Sequence, residues 1–240
     1  MKETCMGDKQ GLDEILTKIE DLKKDNVRIY GNRKADILFI TGCTSSKSEK
    51  EGVIPAYCRY IGAASKLMLA FFKDNCISLD KDRFLDLYVL SAGYGFIPAD
   101  GKIQNYNVTF AKRTSHQKEK MAEELMLNQN FDRILNQGYK LIILRLGNDY
   151  IQALNSVAPT DGYKVPDGTK VCYLKPKSTH EILLQGATFP IKVCASNLRK
   201  YGSKIAYQDC IWFNFLKKHQ SDSAEEISEK ITCNIKEIIK

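Results

Sequence analysis

Residues 35–43 read ADILFITGC. Ile37 to Ile40 form an unbroken apolar run that stops at Gly42. A strand with one wet face alternates apolar and polar residues, so an uninterrupted run predicts a strand covered on both faces, as in a parallel sheet. Two further runs have the same character, LDLYVLSA at 85–92 and KLIILRLG at 140–147. The predicted strands are 36–42, 85–91 and 140–146.

Between them the apolar spacing changes to that of helices. PAYCRYIGAASKLMLAFFKD (55–74) and SHQKEKMAEELMLNQNFDRILNQG (115–138) are helical, the second with Ser115 as the expected N-cap and Gly138 as the expected stop. NDYIQALNSV (148–157) opens another helix, and GLDEILTKIEDLKKD (11–25) carries an amphipathic face. Strands alternating with helices predict an α/β fold, an open and mostly parallel sheet with helices on both faces. KVCYLKP, HEILLQ and PIKVCA (170–195) predict extra short strands near an edge, antiparallel in character. The chain divides into an N-terminal amphipathic helix (1–34), an α/β domain (35–216) and a C-terminal amphipathic helix (217–240), with Ile227, Ile231, Ile235 and Ile238 along one side of the last.

Composition bounds the function. The longest apolar windows fall well short of the roughly 20 residues that span a bilayer, and MKETCMGDKQ carries no apolar signal core, so a cytoplasmic protein without membrane partners is expected. The eight cysteines, at 5, 43, 58, 76, 172, 194, 210 and 233, show no Cys-x-x-Cys pair, which predicts reduced thiols used mostly as small core residues and gives no spacing for a metal. No cofactor is indicated. The net charge of +7 is unevenly placed: 151–204 holds eight Lys/Arg against three acids beside Tyr163, Tyr173, Phe189 and Tyr201, and AKRTSHQKEK spans 111–120. These segments are compatible with DNA or RNA as a partner, and equally with a solvated surface.

Parallel strands deliver their carboxyl ends to one rim, where ligands of open α/β sheets bind. Three polar loops meet there. In 42–48, Thr44, Ser45, Ser46 and Ser48 with Lys47 are donors suited to a phosphate or carboxylate, although the glycine spacing of a P-loop is absent. Cys43 is a nucleophile if a cation lowers its pKa, or else a packing or ligand-lining residue. In 91–109, Ser91, Tyr94, Gly95, Tyr106, Asn107 and Thr109 are ligand-binding candidates, and Asp100 is the carboxylate available as a general base. In 145–150, Arg145 and Asn148 join them, with Asp149 or a ligand anion as the expected partner of Arg145.

The run Cys43-Thr44-Ser45-Ser46-Lys47 after a strand, followed by LSAGYGFIPADGKIQNYNVTF, resembles the YaaA-like peroxide-stress family, a group of related uncharacterised bacterial domains, and more distantly the archaeosine synthase core domain. The resemblance spans roughly 36–154, through Ser91, Tyr94, Gly95, Pro98, Asp100, Ile103, Tyr106, Asn107 and Thr109. It implies a pocket made by the strand-end loops and a nucleobase, nucleotide or nucleic acid as ligand. Two functions follow as expectations: an enzyme acting on such a ligand with Cys43, Lys47 and Asp100 as catalytic residues, or a non-catalytic nucleic-acid-binding stress protein. A module whose pocket is vestigial is a third.

Overall fold

The computed structural model describes residues 3–24, 33–77, 84–176, 180–193 and 207–233. In chain order its elements are α1 (Glu3–Lys23), β1 (Ile37–Gly42), β2 (Ile54–Pro55), α2 (Ala56–Arg59), α3 (Ala63–Phe72) with a π-helical turn at Lys73–Ile77, β3 (Asp86–Ser91), β4 (Gly95–Pro98) and β5 (Lys102–Ile103). They continue with α4 (Ser115–Glu124), α5 (Leu127–Leu135), β6 (Leu141–Arg145), α6 (Asn148–Ser156), β7 (Tyr163–Lys164), β8 (Lys170–Pro176), β9 (Leu184–Gln185), β10 (Thr188–Val193), α7 (Tyr207–Lys218) and α8 (Ala224–Cys233).

The main sheet has the order β10-β8-β6-β1-β3-β4. Its strands are parallel except β4, which returns antiparallel along β3. The three buried runs are its centre, as their lack of alternation requires. Ile37, Leu38, Phe39 and Ile40 are each at most 2% exposed, and a fully buried side chain of this size contributes about 1.5–3 kcal/mol. Phe39 meets Trp212 of α7 and Thr41 meets Ser65 of α3, while the opposite face of Gly42 meets Tyr150 of α6. Helices therefore cover both faces: α3 packs against α7, and α4 against α1 and α6.

Several expectations are corrected. β8 and β10 run parallel and extend the main sheet, because β8 pairs with β6 in the same direction. The helix expected over 55–74 breaks at Gly62 into α2 and α3, and the one over 115–138 breaks at Met126, whose φ is +51°. Thr114, not Ser115, is the N-cap of α4: its hydroxyl accepts from the Gln117 N–H while the Gln117 side chain accepts from the Thr114 N–H. Part of the expected long loop is the β3–β4 hairpin. Of the cysteines with described side chains, Cys43, Cys76 and Cys172 are buried, Cys210 is half-buried, and Cys58 and Cys233 are exposed, so the core does not claim them all. The side chain of Cys5, together with Cys194, Tyr201, Ile235, Ile238 and the 194–204 part of the basic segment, lies outside the described residues. No described helix is long and apolar enough to cross a membrane.

Candidate active site at the strand ends

The order of the parallel strands places a topological switch between β1 and β6. After β1 the chain adds β3 on one side, then crosses to add β6, β8 and β10 on the other. A crevice opens at the carboxyl ends of such neighbours. Cys43 follows β1, and Tyr150 sits in the first turn of α6 after β6. The Cys43 Sγ and Tyr150 Oη are 2.9 Å apart, and the Tyr150 hydroxyl donates to the Cys43 carbonyl at 2.8 Å. A Cβ on Gly42 would stand 3.2 Å from the Tyr150 ring, so a glycine here lets the phenol lie against the strand end.

Three more tyrosines form a cluster next to this pair. Tyr106 donates to or accepts from Tyr60 at 2.7 Å and Ser91 at 2.6 Å, and its ring meets Tyr94 edge-on. Ser91 Oγ accepts the N–H groups of Gly93 and Tyr94, each at 3.1 Å, which holds the β3–β4 turn. A Cβ on Gly93 would approach the Tyr106 ring to 2.8 Å, so this residue too admits an aromatic ring. Cys43 keeps 9% of its surface, enough to be reached from the rim. Burial, and next the negative charge of an ionised Cys43, push the phenols of Tyr60, Tyr106 and Tyr150 well above their ordinary range.

Lys47 supplies the cation. Its Nζ lies over the Tyr106 ring, 4.3 Å from the centroid. Burial pulls its pKa below the ordinary ammonium value, and the charge of Cys43 acts in the other direction. The loop that carries it is fixed by pairing with the segment after α2: the Ser48 N–H donates to the Arg59 carbonyl, and the Ile61 N–H to the Ser46 carbonyl. Lys47 and Tyr60 are the opposed pair of this bridge. The fully buried Arg59 guanidinium donates to the carbonyls of Ser48 (2.6 Å), Lys50 (2.8 Å) and Gly52 (2.6 Å). Among the described residues it has no acidic partner.

The other sequence-predicted residues are placed as follows. Thr44 donates to the Ser46 carbonyl and accepts the Gly62 N–H, a loop-fixing role, while Ser45 and Ser46 are exposed on the rim. Gly95, with φ of +72°, shapes the hairpin. Asp100 stands at the turn between β4 and β5, and its charge acts on Tyr57 of α2 rather than on the tyrosines around Cys43. Asn107 is exposed, and Thr109 accepts the Ala111 N–H. Asn148 accepts the His180 N–H.

Arg145 is a correction: its Nε lies 2.6 Å from Asp209 Oδ1 of α7, whereas Asp149 pairs with Lys118 at 2.6 Å. The Arg145 contact is a close ion pair without hydrogen-bond alignment, and among the described residues both buried Asp209 oxygens have no hydrogen-bond donor. Burial therefore outweighs the arginine and pushes the Asp209 carboxyl up to about 7. Tyr60 and Asp209 were not foreseen, since nothing in an apolar helical pattern marks which residue will face a distant strand end.

Residues 38–170 match a protein family described as a family of unknown function, DUF6884. The chain belongs to that family. The DUF6884 region covers more than half of the chain, from β1 to the first residue of β8, and contains Cys43, Lys47, Tyr60, Ser91, Tyr94, Tyr106 and Tyr150. Asp209 lies outside it. No curated protein and no solved structure matches the chain. Among the described residues no group of three or more His, Cys, Asp or Glu is arranged to hold a metal ion. An open concavity bordered by Arg33, Asp36, Asn75, Phe84 and Asp222 lies at the amino end of β1, away from the DUF6884 tyrosine cluster.

Proposed function

We propose that this protein is an enzyme acting on a nucleobase or nucleotide at the β1–β6 crevice, with Cys43 as nucleophile and Lys47 as proton carrier. The observation that carries this reading is the pairing of a rim thiol, 2.9 Å from a phenol, with a desolvated lysine ammonium over the neighbouring Tyr106 ring. A lysine whose pKa is lowered by burial spends more of its time as a neutral amine, which is a base. Lys47 takes the Cys43 proton, and the thiolate adds to an electron-poor ring carbon. The carbon–sulfur bond forms as the π pair of the adjacent C=N moves onto nitrogen, and that nitrogen receives the proton from Lys47. The step is redox-neutral. The aromatic walls of Tyr94 and Tyr106 suit a flat ring, and the phenol and ammonium donors suit one that accepts hydrogen bonds and gains negative charge.

This assignment moves the base from Asp100 to Lys47. It also leaves the basic segments without a required role: in 111–120, Lys118 engages Asp149 and Lys120 engages Glu123.

The test is a thermal-shift series of nucleobases, nucleosides and nucleotides against wild type, Cys43→Ser and Lys47→Ala. A ligand at about a hundred times its Kd adds roughly 2.7 kcal/mol, or about 5–10 °C for a chain of this size. The expected result is a small-molecule shift that Lys47→Ala abolishes, with retained binding and lost turnover in Cys43→Ser. Stabilisation by oligonucleotides alone, erased by salt and equal in all three proteins, overturns it.

A further inference from the structure

The hydrogen bonds around Cys43 have a direction, which follows from counting protons. Ser91 Oγ uses its lone pairs on the N–H groups of Gly93 and Tyr94, so its own proton goes to Tyr106 Oη, 2.6 Å away. Tyr106 Oη is thereby an acceptor from Ser91, and its proton is available to Tyr60 or to the Cys43 sulfur. Tyr150 has one proton as well. While it donates to the Cys43 carbonyl at 2.8 Å, the thiol at 2.9 Å is the donor to its oxygen. Once the thiol loses its proton, Tyr150 can donate to sulfur instead, by rotation of one hydroxyl hydrogen. Each of these phenols resists ionisation, since burial pushes all of them upward. They stay protonated, and therefore donors, at any pH where a thiol ionises.

We infer that Ser91, Tyr106 and Tyr150 form a thiolate hole: a set of hydroxyl donors, oriented from the β3–β4 turn and from α6, that holds the ionised Cys43 in place of a histidine. This rests on the reading of Cys43 as the reacting group and adds what makes it reactive. Tyr150, 2.9 Å away, donates directly to sulfur, and Tyr106, held by Ser91 beside the same charge, turns its proton toward it. Ser91 is a positioning residue that acts through Tyr106, and the two backbone N–H groups set its polarity. The arrangement resembles an oxyanion hole in its logic, with donors fixed in advance where negative charge appears. Because the donors are neutral, the charge that counters the thiolate comes from the ammonium of Lys47.

The test needs no substrate. The rate of alkylation of Cys43 by iodoacetamide is followed across pH in the full chain, resolved at the Cys43 peptide by mass spectrometry, so that the exposed Cys58 and Cys233 do not interfere. One lost hydrogen bond to a charged acceptor lowers the thiolate fraction about tenfold, and so raises the pH midpoint by about one unit. The expected result is such a rise in Tyr106→Phe and Tyr150→Phe, a smaller one in Ser91→Ala, and a midpoint near that of wild type in Ser91→Thr. A packing role slows alkylation equally at every pH and leaves the midpoint in place. Midpoints in both phenylalanine variants equal to wild type overturn the hole. Should Ser91→Ala fail to fold, those two variants decide. Shifted midpoints without any ligand in the thermal series would sink the nucleobase assignment alone.

Discussion

Arg59 shows how much a single side chain can decide. Its charge is fully buried and spent on three carbonyls of the loop that carries Lys47, so it fixes the position of a reactive group it does not touch. Replacing it with leucine leaves those carbonyls without donors. Arg59→Leu is expected to lose about 2–4 kcal/mol in urea unfolding, with Lys47 displaced from the Tyr106 ring. A loss under about 0.5 kcal/mol would mean that water replaces the guanidinium and the loop is held by other contacts. Nothing in the run YCRY announced this role, because an arginine in a helical pattern ordinarily points to solvent.

At the scale of elements, the join between α4 and α5 is strained. Met126 adopts φ of +51°, a left-handed conformation that costs a side-chain-bearing residue about 1 kcal/mol, and its side chain is 49% exposed. Met126→Gly should therefore raise stability by about 0.5–1 kcal/mol despite the added chain entropy, read as a higher melting temperature; a fall would mean its apolar contacts outweigh the strain. The start of the same helix behaves oppositely. Thr114→Ala removes the hydroxyl that accepts the Gln117 N–H, while the N–H of residue 114 can still meet the Gln117 side chain. It should cost about 1 kcal/mol in thermal unfolding, and an unchanged midpoint would mean the α4 start is held by packing and the remaining backbone bond.

At the scale of the whole molecule, the Arg145–Asp209 pair ties the carboxyl end of β6 to α7 across one face of the sheet. The Asp209 carboxyl is raised to about 7 in the folded state against an ordinary value of 3.8. The folded state therefore binds this proton more tightly than the unfolded chain. The stability due to the group is fully present below about pH 4 and is lost as pH rises to about 7. The amplitude is a few kcal/mol at most, roughly 1.4 per pH unit of difference. Wild type should lose stability between about pH 5 and about pH 7 in urea titrations, and Asp209→Asn should flatten that slope. An equal slope in both proteins would show that Asp209 is ionised and well paired throughout.

Ile37–Ile40, Leu85–Leu90 and Leu141–Leu144 were legible because burial on both faces leaves its mark in composition: a parallel strand covered by helices has no wet side to keep polar. From three such strands the rim follows, and with it Cys43, Lys47, Ser91 and Tyr106, since chain direction alone decides which end of a parallel strand a residue occupies. Burial marks a strand but not its direction, so β8 and β10 were visible while their direction was not. Tertiary structure alone determined the partners. Tyr60 faces Tyr106, Tyr150 faces Cys43 and Asp209 faces Arg145 across separations of 46, 107 and 64 residues. Contacts of that range have no period in sequence. They depend on which helix lies on which face of the sheet, and that is settled only when the apolar faces of all the elements are buried together.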